Sequence, residues 1–569
     1  MKLITFGCII ASLFCSYEPA IAQTLNPRTL PDRLEDIPVK PLPSDVLPQP
    51  SDQQQLLPPV KLPDEPDQKD NGNQVKFRVE RIQVIGSTIF KPEKFTAITA
   101  PFVGREVSFA ELLQVKDAIT KLYTDKGYAT TGALITPQTI EFGVVKIQVV
   151  EGSLSEIKIL GNHRLSSSYI RSRILLGAGK PLNIPRLLEK LQLLRLDPRI
   201  QSLNAELQTG ILPGTNVLRV EVKEAKTFTA TVNLDNGRSP SVGSFRRGVN
   251  LQEANLLGFG DTVSIGYANT DGSNTLDFNY TVPINARNST LWFSFSQGWN
   301  NVIESPFSVL DIQSNIRAYE FGYRQPLLQR PNQDLAVGWL FSRQESQTAL
   351  GLDNIGPFAI SPGADSQGNT NISALRFFQE YTKRSSKDVF AVRSQFSVGV
   401  DWFGANVSSD QPDSRFFSWR GQAQYVRQLA PDTLFLVRSD VQLTADNLVP
   451  LEQFSIGGQL SVRGYRQDTL LTDNGVFFSG EFRLPLIRAH KIGGVLQVTP
   501  FIDIGQGWNN NSINPSPNTL VSTGLGLLWK QDNRFSARID WGTPLTSVSG
   551  AKPTLQDNGV YFSIQYSLF

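Results

Sequence analysis

The residues best placed to do chemistry together are an arginine and two carboxylates in the last fifth of the chain. Arg463 sits in the tetrapeptide Val462-Arg463-Gly464-Tyr465, and Asp503 in Phe501-Ile502-Asp503-Ile504-Gly505. Glu481 lies between them, flanked by Phe478-Ser479-Gly480 and Phe482-Arg483-Leu484. Successive side chains of a strand point to opposite faces. If Ile502 and Ile504 face an apolar surround, Asp503 faces the other way, and Glu481 does so by the same alternation. A guanidinium taken out of water requires a carboxylate in planar, bidentate geometry. The spacing therefore suggests a buried ion pair inside a β-barrel, with a role in positioning. A buried pair is a good device for fixing one loop conformation and weak evidence of net stability. Gly464 lets the backbone turn tightly beside the arginine, and Tyr465 can wedge against a wall.

Other constellations do not assemble. The chain has two histidines, His163 and His490, far apart and without cysteine partners, so a zinc site is not expected. Gly177-Ala178-Gly179-Lys180 lacks the length of a phosphate loop and its Ser/Thr, and Pro181 follows. There is no Gly-x-Ser-x-Gly elbow. No catalytic residue, metal or cofactor is expected, and the chain does not read as an enzyme.

The elements that would hold such a pair are visible in the periodicity. From Phe228 onward apolar and polar residues alternate: Phe228, Ala230, Val232 and Leu234 against Thr229, Thr231, Asn233 and Asp235, and again at Leu276 to Val282, Phe390 to Trp402 and Phe535 to Trp541. In lipid only helices and closed barrels satisfy every backbone group, and period two is the mark of the barrel. A secreted β-sandwich would alternate too, but would not need roughly 340 residues of it; at roughly 20 residues per strand and connection, the length predicts about 16 strands. Gly351 to Asn371 is rich in Gly, Asp and Asn and reads as a surface loop. The last strand alternates through Val560, Phe562, Ile564, Tyr566 and Leu568; Phe569 falls out of phase, which predicts either a bulge or a mild departure from the pattern.

Ahead of the alternating half lies an internal repeat. Ile82-x-Val84-x-Gly86 recurs 75 residues later as Ile157-x-Ile159-x-Gly161, and Gly104, Val107, Phe109, Leu112 and Leu113 match Gly179, Leu182, Ile184, Leu187 and Leu188. Each unit opens on an alternating strand, carries a helical stretch, and closes on another strand, a small α+β domain. In the first unit Leu112, Val115, Ile119 and Leu122 have helical spacing and Gly127-Tyr128 stops the helix.

The first 22 residues have the form of a secretory signal: Lys2, an apolar run, and Ala20-Ile21-Ala22. Both cysteines, Cys8 and Cys15, fall inside it, so the mature protein would have neither disulfides nor cysteine metal sites. Residues 23–75 are rich in proline and polar residues and read as an extended linker. Beyond the signal, no run approaches the ~18 apolar residues of a membrane helix. With 54 Lys and Arg against 52 Asp and Glu, no charge excess points to nucleic acid. The 34 Phe, 13 Tyr and 8 Trp suit strands facing lipid.

The arginine tetrapeptide, the Phe-x-Asp-x-Gly segment, the doubled α+β unit with its Gly127-Tyr128 and Glu151-Gly152, and the motifs Asn255 to Asp261 and Tyr280 to Pro283 together resemble the TpsB transporters of two-partner secretion (ShlB/FhaC/HecB type) in the POTRA-barrel superfamily. The resemblance covers nearly the whole mature chain. It implies α+β POTRA domains at 76–152 and 153–225, followed by a transmembrane antiparallel barrel of about 16 strands at 226–569. It also implies a Gram-negative outer membrane, periplasmic POTRA domains, a monomer in outer-membrane lipid, and a secreted TpsA-type exoprotein of the haemolysin or haemagglutinin kind as client. Carried over by residue, the loop Val462–Tyr465 folds into the lumen and Arg463 meets Asp503, with Glu481 a second candidate acceptor and Phe501 and Gly505 completing the barrel motif. Some relatives carry an N-terminal plug helix; here only Pro31 to Ile37 could begin one. POTRA sheet edges can take on a strand of unfolded client. The alternative reading is an assembly factor that inserts other barrels, which shares the fold and the arginine motif but usually carries more POTRA units. A passive porin would need no such units.

Overall fold

The computed structural model describes residues 76–408, 412–532, 534–548 and 553–568. The signal, the linker with its candidate plug, and Phe569 lie outside the described residues.

The repeat is visible in the folding of both N-terminal units. In the first, Arg81–Ile85 runs parallel to Val144–Val150, which pairs on its other side with Gly132–Leu134; Lys76–Val79 pairs with Arg105–Ser108. In the second, Ser153–Leu160 runs parallel to Thr215–Glu224, which pairs with Ile200–Thr209. The last of these strands was overlooked in the sequence, although Leu203, Ala205 and Leu207 alternate there with Asn204, Glu206 and Gln208. Helices Pro92–Thr99 and Phe109–Thr124 cover the first sheet, and Ser167–Leu175 and Ile184–Arg195 the second. Leu112, Val115 and Ile119 are buried at helical spacing against Val145, Ile147 and Val149. Ser108 caps this helix by accepting from the Glu111 N–H, while the Glu111 carboxylate accepts from the Ser108 N–H. The helix ends at Thr124, one turn before the glycine that the sequence offers as its stop. The repeated glycines do the same work in both copies. Gly86 and Gly161 have φ of +88° and +80°, and a Cβ on either would lie 2.4 Å from the Val149 or Val222 carbonyl oxygen.

Sixteen antiparallel strands, from Phe228–Asp235 to Val560–Ser567, close into a barrel. A two-residue bridge at Gly356–Pro357 extends the seventh strand, Gln333–Leu350, within the loop at 351–368. The wall is apolar outside and polar within. Ile502, Ile504, Leu525, Ile539 and Trp541 are exposed on the outer surface, whereas Ser479, Asp503, Ser522 and Asp540 are buried in the lumen. That is the inverse of a soluble sheet and fits a wall surrounded by hydrocarbon.

The second α+β unit is fastened to one end of the barrel through polar contacts. Arg164 Nη2 donates to the Asn255 carbonyl at 3.0 Å, Ser166 N–H to the Gly258 carbonyl at 2.9 Å and Arg199 Nε to the Ala254 carbonyl at 2.8 Å. Arg173 reaches Asn288 Oδ1 at 2.6 and 2.9 Å. The turn 254–261, which holds the motif Asn255 to Asp261, is thus the seat of the unit. The loop 445–473 opens at the opposite end of the barrel.

Candidate functional site: a loop folded into the barrel lumen

Residues 445–473 connect the eleventh strand, Thr433–Thr444, to the twelfth, Asn474–Ala489. A loop this long on an exposed rim would ordinarily stand in water. This one turns inward. Its segments Phe454–Ile456 and Leu470–Thr472 pair as a short hairpin. Phe454, Ile456, Val462, Tyr465 and Leu470 are buried together against Phe477 and Leu520 of the wall. This apolar cluster inside a polar lumen gives the loop a reason to fold back.

Arg463 is almost completely buried, 1% exposed. Its Nε and Nη2 donate to Asp503 Oδ2 and Oδ1 at 2.7 and 2.9 Å, and its backbone N–H adds a third bond to Oδ2 at 3.1 Å. Nη1 donates to Glu481 Oε2 at 2.6 Å. The guanidinium plane lies 3.5 Å from the Phe501 ring centroid. Lysine could supply the charge but neither the fork nor the flat face. Asp503 lies on the thirteenth strand, Gly494–Trp508, and Glu481 on the twelfth, so the arginine bridges two neighbouring strands.

The neighbours of Arg463 explain the rest of the tetrapeptide. Gly464 has φ +94°, and a Cβ there would sit 3.0 Å from the Gly542 carbonyl. A Cβ on Gly542 would in turn lie 2.6 Å from the Gly464 nitrogen. Backbone meets backbone at this point, and only glycine allows it. Tyr465 Oη donates to the carbonyls of Val521 (2.6 Å) or Thr546 (3.0 Å) and accepts from the Thr546 N–H at 3.0 Å. The Tyr561 hydroxyl donates to the Tyr465 carbonyl. Val462 packs toward Gly505, whose Cβ position would be 2.9 Å from Val462 Cγ2.

Three further charged residues belong to the cluster and were missed in the sequence. Arg538 donates to Glu481 Oε2 and to Asp540 Oδ2, each at 2.6 Å, and Arg483 Nε donates to Glu481 Oε1 at 2.9 Å. Three arginines therefore face three carboxylates. The signal was present: Arg483 follows Glu481 by two, and Arg538 and Asp540 are the polar phase of the alternating fifteenth strand, Phe535–Pro544. Only closure of the barrel shows that this strand faces the twelfth across the lumen. Beyond the motif, Arg466 forms a salt bridge with Glu304 in the loop after the fifth strand, Thr290–Asn301.

A lumenal loop pinned by arginine to the wall of a 16-strand barrel beneath α+β units can be compared with known proteins. The sequence matches the family described as "Haemolysin secretion/activation protein ShlB/FhaC/HecB" over residues 214–528, and "POTRA domain, ShlB-type" over 77–152. The chain belongs to the ShlB/FhaC/HecB family. It is an outer-membrane transporter of two-partner secretion with periplasmic POTRA domains, and not an enzyme. Among its relatives, the outer membrane transporter CdiB of Escherichia coli is 26% identical over 463 residues, 79% of this chain and 76% of the relative. The heme/hemopexin transporter protein HuxB of Haemophilus influenzae is 22% identical over 502 residues, 83% and 84% of the two chains. The solved structure of CdiB from Escherichia coli covers 90% of the transporter, with 93% of its own chain matched, at a TM-score of 0.65 and 21% identity, a likeness of fold. Family membership implies a secreted TpsA partner for this transporter. It also sets aside the assembly-factor and porin alternatives.

Proposed function

We propose that the POTRA units, at 76–152 and 153–225, capture an unfolded TpsA-type exoprotein in the periplasm, and that the barrel, 226–569, passes it outward as a monomer. Residues 1–22 serve as the export signal and 23–75 as the periplasmic linker. Each three-stranded sheet leaves two edges, such as Ser153–Leu160 and Ile200–Thr209, with free backbone groups that an extended client can pair with whatever its sequence. Folding of the client outside draws the chain forward without a nucleotide at this membrane.

The observation that carries the mechanism is the loop 445–473 lying across the lumen with Arg463 on Asp503 and Glu481. In this position it obstructs the passage, so translocation requires it to move. The arginine cluster sets the resting state, and its ion pairs give that state one defined geometry.

A reversible tether tests this. Cysteines at Val462 and Gly505 would stand at positions close enough for a disulfide, and the mature chain has no others to interfere. The double variant is expected to release no exoprotein into the medium when oxidised, and to recover when reduced. The reduced form also controls for crowding at Gly505. Equal secretion in both states would refute a moving loop.

A further inference from the structure

The arginine motif is one end of the loop's suspension; the other is at its neck. Pro450–Glu452 forms a short helical turn just inside the rim. Glu452 reaches the eighth strand, Asn369–Arg384, where Arg376 Nη2 donates to Oε1 at 2.6 Å and Nη1 to Oε2 at 3.1 Å. The contact is bidentate and buried, the side chains 10% and 8% exposed. Ser342 and Ser397 accept two further bonds from Arg376, at 3.2 and 3.0 Å. The loop is thus strung between the wall at strands twelve and thirteen and the wall at strand eight. Leu451 and Glu452 bound the remaining lumenal cavity of about 820 Å³.

The two ends differ in what release would leave behind. If Arg463 leaves, Asp503 loses the arginine that forks onto it, and a buried carboxylate without a partner is strongly unfavourable. If Glu452 leaves, Arg376 has a substitute. Glu320, on the sixth strand Ile312–Arg330, lines the same cavity and lies within electrostatic reach of Arg376 and Arg393. Glu320 is the register partner of Ser342, the serine that already accepts from Arg376 Nε, and Arg376 pairs with Leu340 on that same seventh strand. Two strand spacings and a two-residue offset along the strand, roughly 12 Å in all, separate their backbones, a span that a glutamate and an arginine cover together. Among the described residues Glu320 makes no hydrogen bond and no ion pair.

We propose that Arg376–Glu452 is the releasable latch of the loop, and that Glu320 is the waiting acceptor that takes over Arg376 when Glu452 swings away. Exchange of one carboxylate for another keeps the guanidinium paired throughout, so the neck opens without exposing a lone buried cation. Client entering from the periplasmic side displaces the neck first, and the tip at Arg463 follows. Glu320 is then a positioning residue for transport that, among the described residues, makes no hydrogen bond or ion pair in the resting state.

The inference rests on the moving-loop reading and is tested separately from it. Glu452→Gln and Glu320→Gln are compared with wild type for conductance of the purified full-length transporter in planar bilayers and for secretion of its exoprotein from cells. Heat-modifiable migration in gels checks the barrel. Glu452→Gln loosens the latch and is expected to raise the frequency of open events on the order of tenfold, the factor that ~1.4 kcal/mol represents. Glu320→Gln is expected to leave resting conductance unchanged yet lower the secretion rate by a similar factor, an effect that a purely structural residue without contacts would not give. Wild-type secretion by Glu320→Gln, or wild-type conductance of Glu452→Gln, would overturn the latch. A cysteine tether between Val462 and Gly505 that fails to block secretion would instead overturn loop movement itself.

Discussion

The two carboxylates that meet Arg463 carry different jobs, and amide substitutions separate them. Asp503 serves the loop: all three of its bonds from Arg463 vanish when the loop leaves. In Asp503→Asn the carboxamide oxygen can keep the Nε and backbone bonds at the Oδ2 position, but its NH2 then faces Nη2, donor against donor. Losing one charge-assisted bond (about 1.5–3 kcal/mol) and the countercharge of a buried guanidinium gives ~3 kcal/mol against the docked loop, or ~10²-fold in the docked-to-released ratio. Glu481 serves the wall: Arg483 and Arg538 hold it at 2.9 and 2.6 Å whether or not Arg463 is present. Glu481→Gln leaves three arginines facing two carboxylates, and most of that loss, ~3–5 kcal/mol, is common to both loop positions. Hydrogen exchange across 454–472 reads the loop, and the temperature of heat-modified migration reads the wall. Asp503→Asn should raise exchange in the loop with little change in barrel stability, and Glu481→Gln should lower the barrel transition more than it frees the loop. Parallel shifts of both readouts in both variants would refute this division.

Two other predictions follow from contacts elsewhere. Gly542→Ala changes no charge, yet its methyl would lie 2.6 Å from the Gly464 nitrogen; it should free the loop in the same exchange assay as fully as Asp503→Asn, and wild-type protection would show that the backbone contact is not required. In the first POTRA unit the Ser108 backbone N–H, then Arg105, hold the Glu111 carboxyl down at about 2 from an ordinary 4.5. A depressed carboxylate contributes stability that is complete above the unfolded value and fades as pH falls, so protection of the first turn of Phe109–Thr124 should decline between pH 4.5 and 2, and Glu111→Gln should show no transition in that window.

Which parts of this were legible in the sequence follows from how far each feature depends on closure. The alternation of Ile502, Asp503 and Ile504 is local, so the inward face of a wall strand could be read from a handful of residues. The repeat was legible for the same reason: Gly86 and Gly161 meet the same carbonyl position in their units, and a shared backbone need leaves a shared residue. Arg538, Asp540 and Arg376 carried the same alternation signal but no sign of a partner. Their partners lie on other strands or on the loop, and nothing local says which strands face each other once the sheet has closed. Ile200–Thr209 was overlooked although Leu203, Ala205 and Leu207 alternate with Asn204, Glu206 and Gln208; the alternation is short, and the pairing with Thr215–Glu224 decides it.

The same dependence on closure explains how a loop can be both fixed and movable. An arginine in a lumen of fixed shape either has its full set of acceptors or carries an unpaired charge, so intermediate positions are penalised and the loop is held in discrete states. At Arg463 the acceptors are concentrated on two adjacent strands, and the loop backbone itself donates to one of them. At Arg376 they are shared between the loop and the wall, with a second carboxylate one register row away. A chain threaded through the barrel meets walls on which many charges are paired with each other, as Arg420 is with Asp440 at 2.7 Å. Such pairing leaves fewer charges with which to hold a passing chain.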